Sequence, residues 1–491
     1  MNGNLLPFDI LGELFNEIIV STYFDKPRQR FKDYPQPTLQ AIRLSAVCTF
    51  WRCAALDFPA MWSYIGITIP LLYTQAWTPQ QPIIDLAMAR SQGIPLHVRV
   101  EAPHILPDHF IAPWEALSKQ VMARAGFIEI VSTFGVAGHR LRVFDPPSLS
   151  RFLLYDSPYL TELDYRILAM PRHRLRYYGR SNMALNASDW ESRPSPLLPC
   201  APLLRSLHIH NLGGLRLDYI FGESIRGLRS LVLNAPHNVL ISVMELSAVA
   251  PQLRRLELGY YSSNRASEGS LYALPHLVSV HGDTSLILSH LERRGTPNIQ
   301  TLDFSGEDED DFSIAPLAAF LQSRPYMAVT TLFLPDEGLD ELDAVVNLVP
   351  IFELLPCIHL LVFPAYPPVK SFFQTWAEST NVFFLPQLEK IQFSDTHWSS
   401  KALLPSTTEI VQFLDARRTS LGLRSNMLHL EIQFGINKVA RNMEPLCDVL
   451  APFVKKVRVV GGARHPQHGV TLIEAIDGLV HSHPASYSAR E

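Results

Sequence analysis

The sequence predicts an α/β protein, in which an N-terminal module of three helices precedes an irregular repeat array built on a curved parallel sheet. Apolar residues near the N-terminus recur at helical spacing. Farther along, an apolar-x-x-apolar-x-apolar segment recurs many times. A chain of 491 residues also exceeds what one hydrophobic core usually serves, which favours several domains or a repeat array.

The first predicted helix begins at Pro7. Proline suits the first helical position, because its missing N–H would have no intrahelical partner there. Asp9 and Glu13 place negative charge in the early turns, where the helix dipole favours it. Apolar residues then recur with the paired spacing of one helical face: Ile10, Leu11, Leu14, Phe15, Ile18 and Ile19.

A second helix is predicted from about Leu39 to Asp57. It should end there because Pro59 disfavours helical geometry at Phe58. Its apolar positions are Leu39, Ile42, Val47, Phe50, Trp51 and Ala54. A third helix and an extended exit are expected from Phe58 onward, where prolines interrupt an uncharged stretch that is too short to span a membrane.

These helices resemble the F-box, a helical module that docks proteins onto ubiquitin ligases. The resemblance covers roughly the first seventh of the chain. It rests on three blocks that occur in order: Leu6-Pro7, Val47-Cys48-x-x-Trp51 and Pro59-Ala60-Met61-Trp62. Two departures are Asp9 in place of the usual Glu and a longer link, over residues 21–37, between the first two helices. The alternative is a helical hairpin whose Leu and Trp residues are ordinary core.

The resemblance implies that the helices bind a Skp-type adaptor, which in turn holds a cullin and its RING subunit. The residues that the resemblance places in contact with the adaptor are Leu6, Pro7, Ile10, Leu11, Leu14, Phe15, Val47, Cys48 and Trp51.

The rest of the chain repeats. Strands are predicted near residues 205–209, 229–233, 254–258, 300–304, 330–334, 359–363, 389–393, 428–432 and 455–459, with a degenerate copy at Leu277 and Val280. Their middle apolar positions lie 22 to 39 residues apart. In seven of ten units a proline stands two residues before the first apolar anchor, where it stops the incoming helix and sets the chain extended.

This pattern resembles the leucine-rich repeat of F-box proteins. Together with the Pro-Ala-Met-Trp-Ser block it is most similar to the diversified F-box sets of mushroom-forming fungi. The predicted domains are an adaptor-binding module (1–66), a connecting segment with possible first irregular repeats (67–140), a substrate-binding repeat domain (141–480) and a flexible tail (481–491). A helix over residues 472–480 is expected to cap the last repeat, and a fragment from about residue 140 onward is expected to fold and keep its target.

Alternate strand residues should point away from the repeat core and form a concave binding face. Leu207, Leu256, Leu302 and Leu430 are then expected to be buried. The candidate substrate-binding residues are His208, His210, Glu257, Asp303, Phe333, Gln392 and Glu431. Five of them are expected to be largely exposed: His208, Glu257, Asp303, Gln392 and Glu431. Their mixed charge suits a protein surface better than a phosphate backbone, which demands a basic stripe.

Composition excludes several classes of function. The net charge of −5 and the pI near 6.4 give no general attraction to nucleic acid or anionic membrane. Five scattered cysteines without CxxC spacing argue against a zinc site and a disulfide framework. His208 and His210 share a strand face, but no third ligand of matching spacing follows, so no metal or other cofactor is expected. Known catalytic motifs are also absent from the sequence.

The predicted function is that of a non-catalytic substrate receptor in a Skp/cullin/F-box type ubiquitin ligase, located in the cytoplasm or nucleus and not secreted. Its predicted partners are the adaptor, through it the cullin and RING subunit, and an unknown target protein. The main alternative is a repeat scaffold that never joins a ligase. An enzyme is a third possibility, which would require a deep pocket with converging titratable groups.

Overall fold

A computed structural model describes the chain in segments. These are residues 6–24, 37–68, 81–103, 108–133, 153, 155–168, 198–210, 226–234, 250–259, 274–282, 299–304, 328–334, 351–364, 385–394, 407–421, 428–434, 454–461, 471–476 and 479–484. The chain divides into two compact units, Met1–Leu253 and Arg254–Glu491.

The first unit opens with a helical module. It comprises α1 (Phe8–Phe24), α2 (Pro37–Ser45), α3 (Thr49–Asp57) and a single 3₁₀ turn (Pro59–Trp62). These elements share one core with the start of the first strand, made of Leu11, Phe15, Ile19, Ala41, Leu44, Ala54, Ala55, Met61, Trp62 and Tyr64. The indole N–H of Trp62 donates to the carbonyl of Ala55 at 2.7 Å, so this buried polar group is satisfied.

The single second helix predicted from Leu39 to Asp57 is wrong, because the chain breaks between α2 and α3. Cys48 is extended (φ −157°, ψ 171°) and its Sγ accepts a hydrogen bond from the backbone N–H of Trp51 at 3.4 Å. The thiol therefore acts as the N-cap that starts a new helix. The predicted third helix is reduced to the 3₁₀ turn, after which the chain enters a strand.

Gly12 permits the close approach of α1 to the residue that ends α3. A Cβ at position 12 would lie 2.6 Å from Cδ2 of Phe58, well inside van der Waals contact. The Phe58 ring packs against the module core and has little room to withdraw.

Replacing Gly12 with alanine is therefore expected to lower the free energy of unfolding by about 1–3 kcal/mol, the usual cost of overpacking. Helix propensity alone would act in the opposite direction by about 1 kcal/mol. Chemical denaturation of the full chain measures the change. Cys53→Ala, at an exposed position within α3 of the same module, is the matched control and should lose no stability. A Gly12→Ala protein more stable than wild type would contradict the packing argument.

The sheet of the first unit is parallel throughout. Its strands are β1 (Tyr64–Thr68), β2 (Leu96–Pro103), β3 (Ala125–Thr133), β4 (Glu162–Leu168), β5 (Ser206–His210) and β6 (Ser230–Asn234), each paired with the next. Helices α4 (Gln81–Arg90) and α5 (Asp108–Met122) connect β1 to β2 and β2 to β3. Repeat strands therefore already occupy the predicted connecting segment, where the first irregular repeats were placed as a possibility.

The second unit contains a parallel series of strands followed by an antiparallel end. The parallel strands are β7 (Arg255–Gly259), β8 (Ser279–Gly282), β9 (Thr301–Asp303), β10 (Thr331–Phe333), β11 (Leu360–Pro364), β12 (Lys390–Ser394), β13 (Leu428–Phe434) and β14 (Val454–Gly461). Helix α6 (Thr407–Leu421) lies between β12 and β13 in the sequence. The predicted strand positions and their parallel pairing are confirmed.

The predicted C-terminal capping helix is wrong. Residues 471–484 contain two strands, β15 (Thr471–Ile476) and β16 (Leu479–Pro484), which continue antiparallel from β14. This segment carries the β-branched residues Thr471, Ile473, Ile476 and Val480, and the open edge of β14 offers it ladder hydrogen bonds. The first four residues of the predicted flexible tail, 481–484, therefore belong to β16. Residues 485–491 lie outside the described part.

The repeated prolines initiate a recurrent turn. Pro202, Pro251, Pro275, Pro356 and Pro386 each follow a buried residue. In every case the carbonyl of that residue accepts a hydrogen bond from the N–H three positions on, at 3.0 to 3.3 Å. Proline at the second position of such a turn is favoured because its φ is already set. The two remaining prolines of this pattern, Pro297 and Pro452, lie outside the described residues.

Strand side chains alternate as predicted, with the apolar set facing the core. Leu207 is fully buried, and Leu256 and Leu302 are 1% exposed. The corresponding side chain of Leu430 lies outside the described residues. A one-residue error in register would have reversed this assignment.

Candidate partner-binding surfaces

The helical module exposes an apolar stripe on α1. Ile10, Leu14 and Ile18 follow one another at i, i+4 spacing and are 48%, 45% and 39% exposed. Leu6, Phe8 and Val47 are exposed as well, and the Phe8 ring lies 4.7 Å from that of Phe50 on α3. Six of the eight large apolar side chains that are exposed in the described part of the chain thus belong to this module.

An acidic row runs beside the stripe. Asp9, Glu13 and Glu17 are exposed, and each precedes a stripe residue by one position along α1. The negative charge of Glu17 contributes to the raised pKa of Tyr64, although burial of that phenol is the larger cause. A partner that covers the stripe would meet an apolar band with one acidic border.

The predicted adaptor contacts divide into two groups. Leu6, Pro7, Ile10, Leu14, Val47 and Cys48 are exposed. Leu11 and Phe15 are 4% and 1% exposed and belong to the module core, so they lie beneath the predicted contact surface, and their contact with an adaptor stays a prediction. They lie on the α1 face that packs against the other helices. Trp51 is half-buried, with its ring 5.0 Å from that of Phe15, beneath the surface rather than on it.

The outward face of β2 to β5 in the first unit carries a packed set of charges. Arg99 Nε lies 3.3 Å from Glu129 Oε2, and both side chains are 9% exposed. Burial raises the pKa of Glu129, and the positive charges of Arg99 and Arg166 oppose that shift. Asp164 accepts two hydrogen bonds from Arg166 Nε at 2.9 Å and a third from Nη2. Within this row the two positive side chains of Arg99 and Arg166 are therefore matched by the two carboxylates of Glu129 and Asp164.

His208 and His210 border this row. His208 Nδ1 and His210 Nε2 each lie 3.9 Å from an oxygen of Asp164, and the two side chains are 25% and 24% exposed. His208 Nε2 also lies 3.0 Å from Ser206 Oγ. Within the described residues, no group of three or more His, Cys, Asp or Glu side chains is arranged to hold a metal ion.

The residues predicted for the binding face are half-buried, so the prediction that His208, Glu257, Asp303 and Gln392 are largely exposed is wrong. His210 and Phe333 are half-buried as well, and the side chain of Glu431 lies outside the described part. Strands in a sheet stand about 4.8 Å apart, so residues at the same register position on neighbouring repeats cover one another. Sequence spacing within one strand does not reveal these lateral neighbours.

The repeated turn and the parallel register define a repeat protein built on parallel strands, an architecture that fits a leucine-rich-repeat solenoid. Neither a known protein family nor a curated protein matches the sequence. Among solved structures, the chain is similar to the leucine-rich repeat-containing protein LegL7 from Legionella pneumophila. That similarity has 16% identity and a TM-score of 0.34, and covers 65% of this chain and 90% of LegL7. The description of the fold rests on the register and the turns of this chain.

Among the described residues, no helix combines the length and the apolarity needed to cross a bilayer.

Proposed function

We propose that the chain is a substrate receptor of a Skp/cullin/F-box type ubiquitin ligase. In this proposal α1 and the α2–α3 corner bind the adaptor, the repeat sheet binds a target protein, and the chain carries no catalytic group of its own. Its contribution is proximity, which raises the effective concentration of a target lysine near the conjugating enzyme. The repeat architecture itself supports only the broader role of a protein-binding scaffold.

One observation carries the ligase proposal: the exposed apolar stripe of α1 coincides with the F-box-like motif. Exposed apolar patches of this kind commonly mark protein–protein interaction sites. Leu6, Ile10, Leu14 and Val47 are exposed where the resemblance expects adaptor contacts, while Leu11 and Phe15 hold the stripe in place from below. In an ordinary helical hairpin these apolar side chains would be expected to pack into the core rather than to form an exposed band.

A charge in the middle of the stripe should abolish adaptor binding. Leu14→Glu replaces a central apolar anchor, and loss of such an anchor commonly costs about 2 kcal/mol or more, roughly thirtyfold in affinity. Because Leu14 is 45% exposed, the fold should remain intact. Binding of the purified full chain to a Skp-type adaptor is measured by calorimetry, and thermal melting checks the fold.

Gln120→Glu, at an exposed position of α5 outside the helical module, adds the same charge and is the matched control, which should bind like the wild type. If wild-type protein does not bind the adaptor at micromolar concentration, or if Leu14→Glu binds normally, the ligase proposal is wrong. Co-purification then separates the main alternative, because a receptor brings down cullin with the adaptor and a scaffold outside any ligase does not.

A further inference from the structure

A short ladder of side chains crosses the outward face of β7, β8 and β9 in the second unit. Glu257, His281 and Asp303 are register partners on these three neighbouring strands. Phe333 on β10 continues the same row beside Asp303. Arg255 lies two residues before Glu257 and therefore on the same face. The core-facing residues Leu256, Val280 and Leu302 hold the ladder in place from beneath.

Two polar contacts organise the ladder, and the one made by His281 is ionic only when its imidazole is protonated. His281 Nδ1 lies 2.8 Å from Asp303 Oδ2, and Arg255 Nη2 lies 2.9 Å from Glu257 Oε2. The side chains of Glu257, His281 and Asp303 are 17%, 21% and 20% exposed, so each keeps a limited opening to solvent. Charges in such a partly desolvated position interact more strongly with a ligand than charges in open water do.

The charges of the ladder do not cancel when His281 is neutral. Glu257 and Asp303 contribute two negative charges against one positive charge on Arg255, which leaves a net charge of −1. Phe333 is half-buried and offers an apolar surface directly beside Asp303. A carboxylate next to an aromatic ring suits a side chain that has an apolar stem and a cationic head.

We propose that this ladder binds an arginine or lysine side chain from a basic segment of a partner protein. The cationic head lies beside Asp303, the carboxylate of Glu257 two strands away adds to the negative charge there, and the aliphatic stem packs on Phe333, the neighbour of Asp303 on the other side. This inference rests on the proposed function only where it treats the bound segment as part of a target for ubiquitin transfer. Binding of the basic segment itself is independent of the adaptor.

Protonation of His281 opposes this binding. Partial burial and the charge of Arg255 lower the pKa of His281. The hydrogen bond to Asp303 and the negative charges of Asp303 and Glu257 raise it, and they outweigh the first two, so the pKa is raised overall. Below that pKa the ladder is neutral, and a cationic ligand must displace the proton. Affinity should therefore rise with pH through and above the ordinary histidine value of about 6.5.

The test uses the full chain and a blocked peptide of alternating arginine and glycine, titrated by calorimetry at a pH well above the histidine range. Asp303→Asn is expected to weaken binding about tenfold, the equivalent of about 1.4 kcal/mol. Phe333→Ala is expected to weaken it about threefold, because the stem loses apolar contact equivalent to about one buried methylene group. Glu389→Gln is the matched control: this 60% exposed carboxylate also pairs with a histidine, His359, at 3.3 Å, and its loss should leave binding unchanged.

His281→Gln keeps both carboxylates and should bind at high pH within about twofold of the wild type, while losing the pH dependence. If Asp303→Asn unfolds, comparison of the pH dependence of binding between the wild type and His281→Gln still tests the proposal. The proposal is overturned if the wild type does not bind, if Asp303→Asn and Glu389→Gln weaken binding equally, or if the pH dependence survives in His281→Gln. Failure of adaptor binding in Leu14→Glu would leave all of these results unchanged, so the two proposals fail separately.

Discussion

A chain that begins at Phe58 is expected to lose the cooperative fold of its first unit, because the helical module and the sheet share one core. Met61, Trp62 and Tyr64 are at most 9% exposed and pack on α1, α2 and α3. Thr38 on α2 also donates from Oγ1 to the carbonyl of Tyr64, at 3.3 Å, on the first strand. Burial of each large side chain contributes about 1.5–3 kcal/mol, and a whole domain is stable by only about 5–15 kcal/mol.

The shortened chain would also expose the edge of β1, which invites association with other chains. Thermal melting and hydrogen exchange of the β1 to β3 amides measure the effect. Val47→Ser, a change at a 60% exposed site of the same module, is the control and should melt like the wild type. Native protection of β1 to β3 in the shortened chain would show that the module is dispensable for the fold.

The same reasoning changes the expectation for a repeat fragment that starts near residue 140. Residues 127–133 of β3 pair along the whole length of β4, so the cut removes the neighbour of β4 and leaves its edge open. Stacked repeats are stabilised mainly by their neighbours, and a terminal repeat needs a cap. We therefore expect that such a fragment will not keep its fold, and that target binding must be measured on the full chain.

The strand positions could be predicted from the sequence because their signal is local. Seven of the ten predicted units carry a proline at the turn, and the turn fixes which of the following residues enter the core. In the repeat of β11, for example, the turn at Pro356 is followed by Ile358 and Leu361, which are both fully buried. Their positions follow from the local sequence alone. A pattern of this kind survives the irregular spacing of the repeats, because insertions fall between the turns rather than within them.

The surfaces could be predicted only in part. Where a residue is polar, or where two adjacent residues are both apolar, neighbours distant in the sequence decide which side chain is buried. On α1 both Ile10 and Leu11 are apolar, and only the packing of α2 and α3 decides that Leu11 is buried. The pairing of His281 with Asp303 joins two different repeats, so neither strand alone reveals it. The break before α3 was missed for another reason: a cysteine is an unusual N-cap, and Cys48 gave no start signal comparable to Ser or Asp.

A carboxylate placed at Leu332 is expected to unfold the second unit. Leu332 is fully buried in β10, between Leu302 of β9 and Leu361 of β11, which are also buried. Leu332→Asp would remove this packing and leave a charge without a partner in an apolar site. The lost packing alone costs about 2–5 kcal/mol, and burying an unpaired carboxylate adds several more, so the total approaches the stability of a whole domain.

Thr331→Asp is the matched control, one residue away on the opposite face of the same strand. Thr331 is half-buried beside Thr301 and Leu360, where a carboxylate can reach solvent, so this variant should lose about 1 kcal/mol or less. Circular dichroism melting and denaturant titration of the full chain compare the two variants. Because side chains alternate with a period of two, reversal of the order, with Thr331→Asp the more damaging change, would mean that the register of β10 is shifted by one residue.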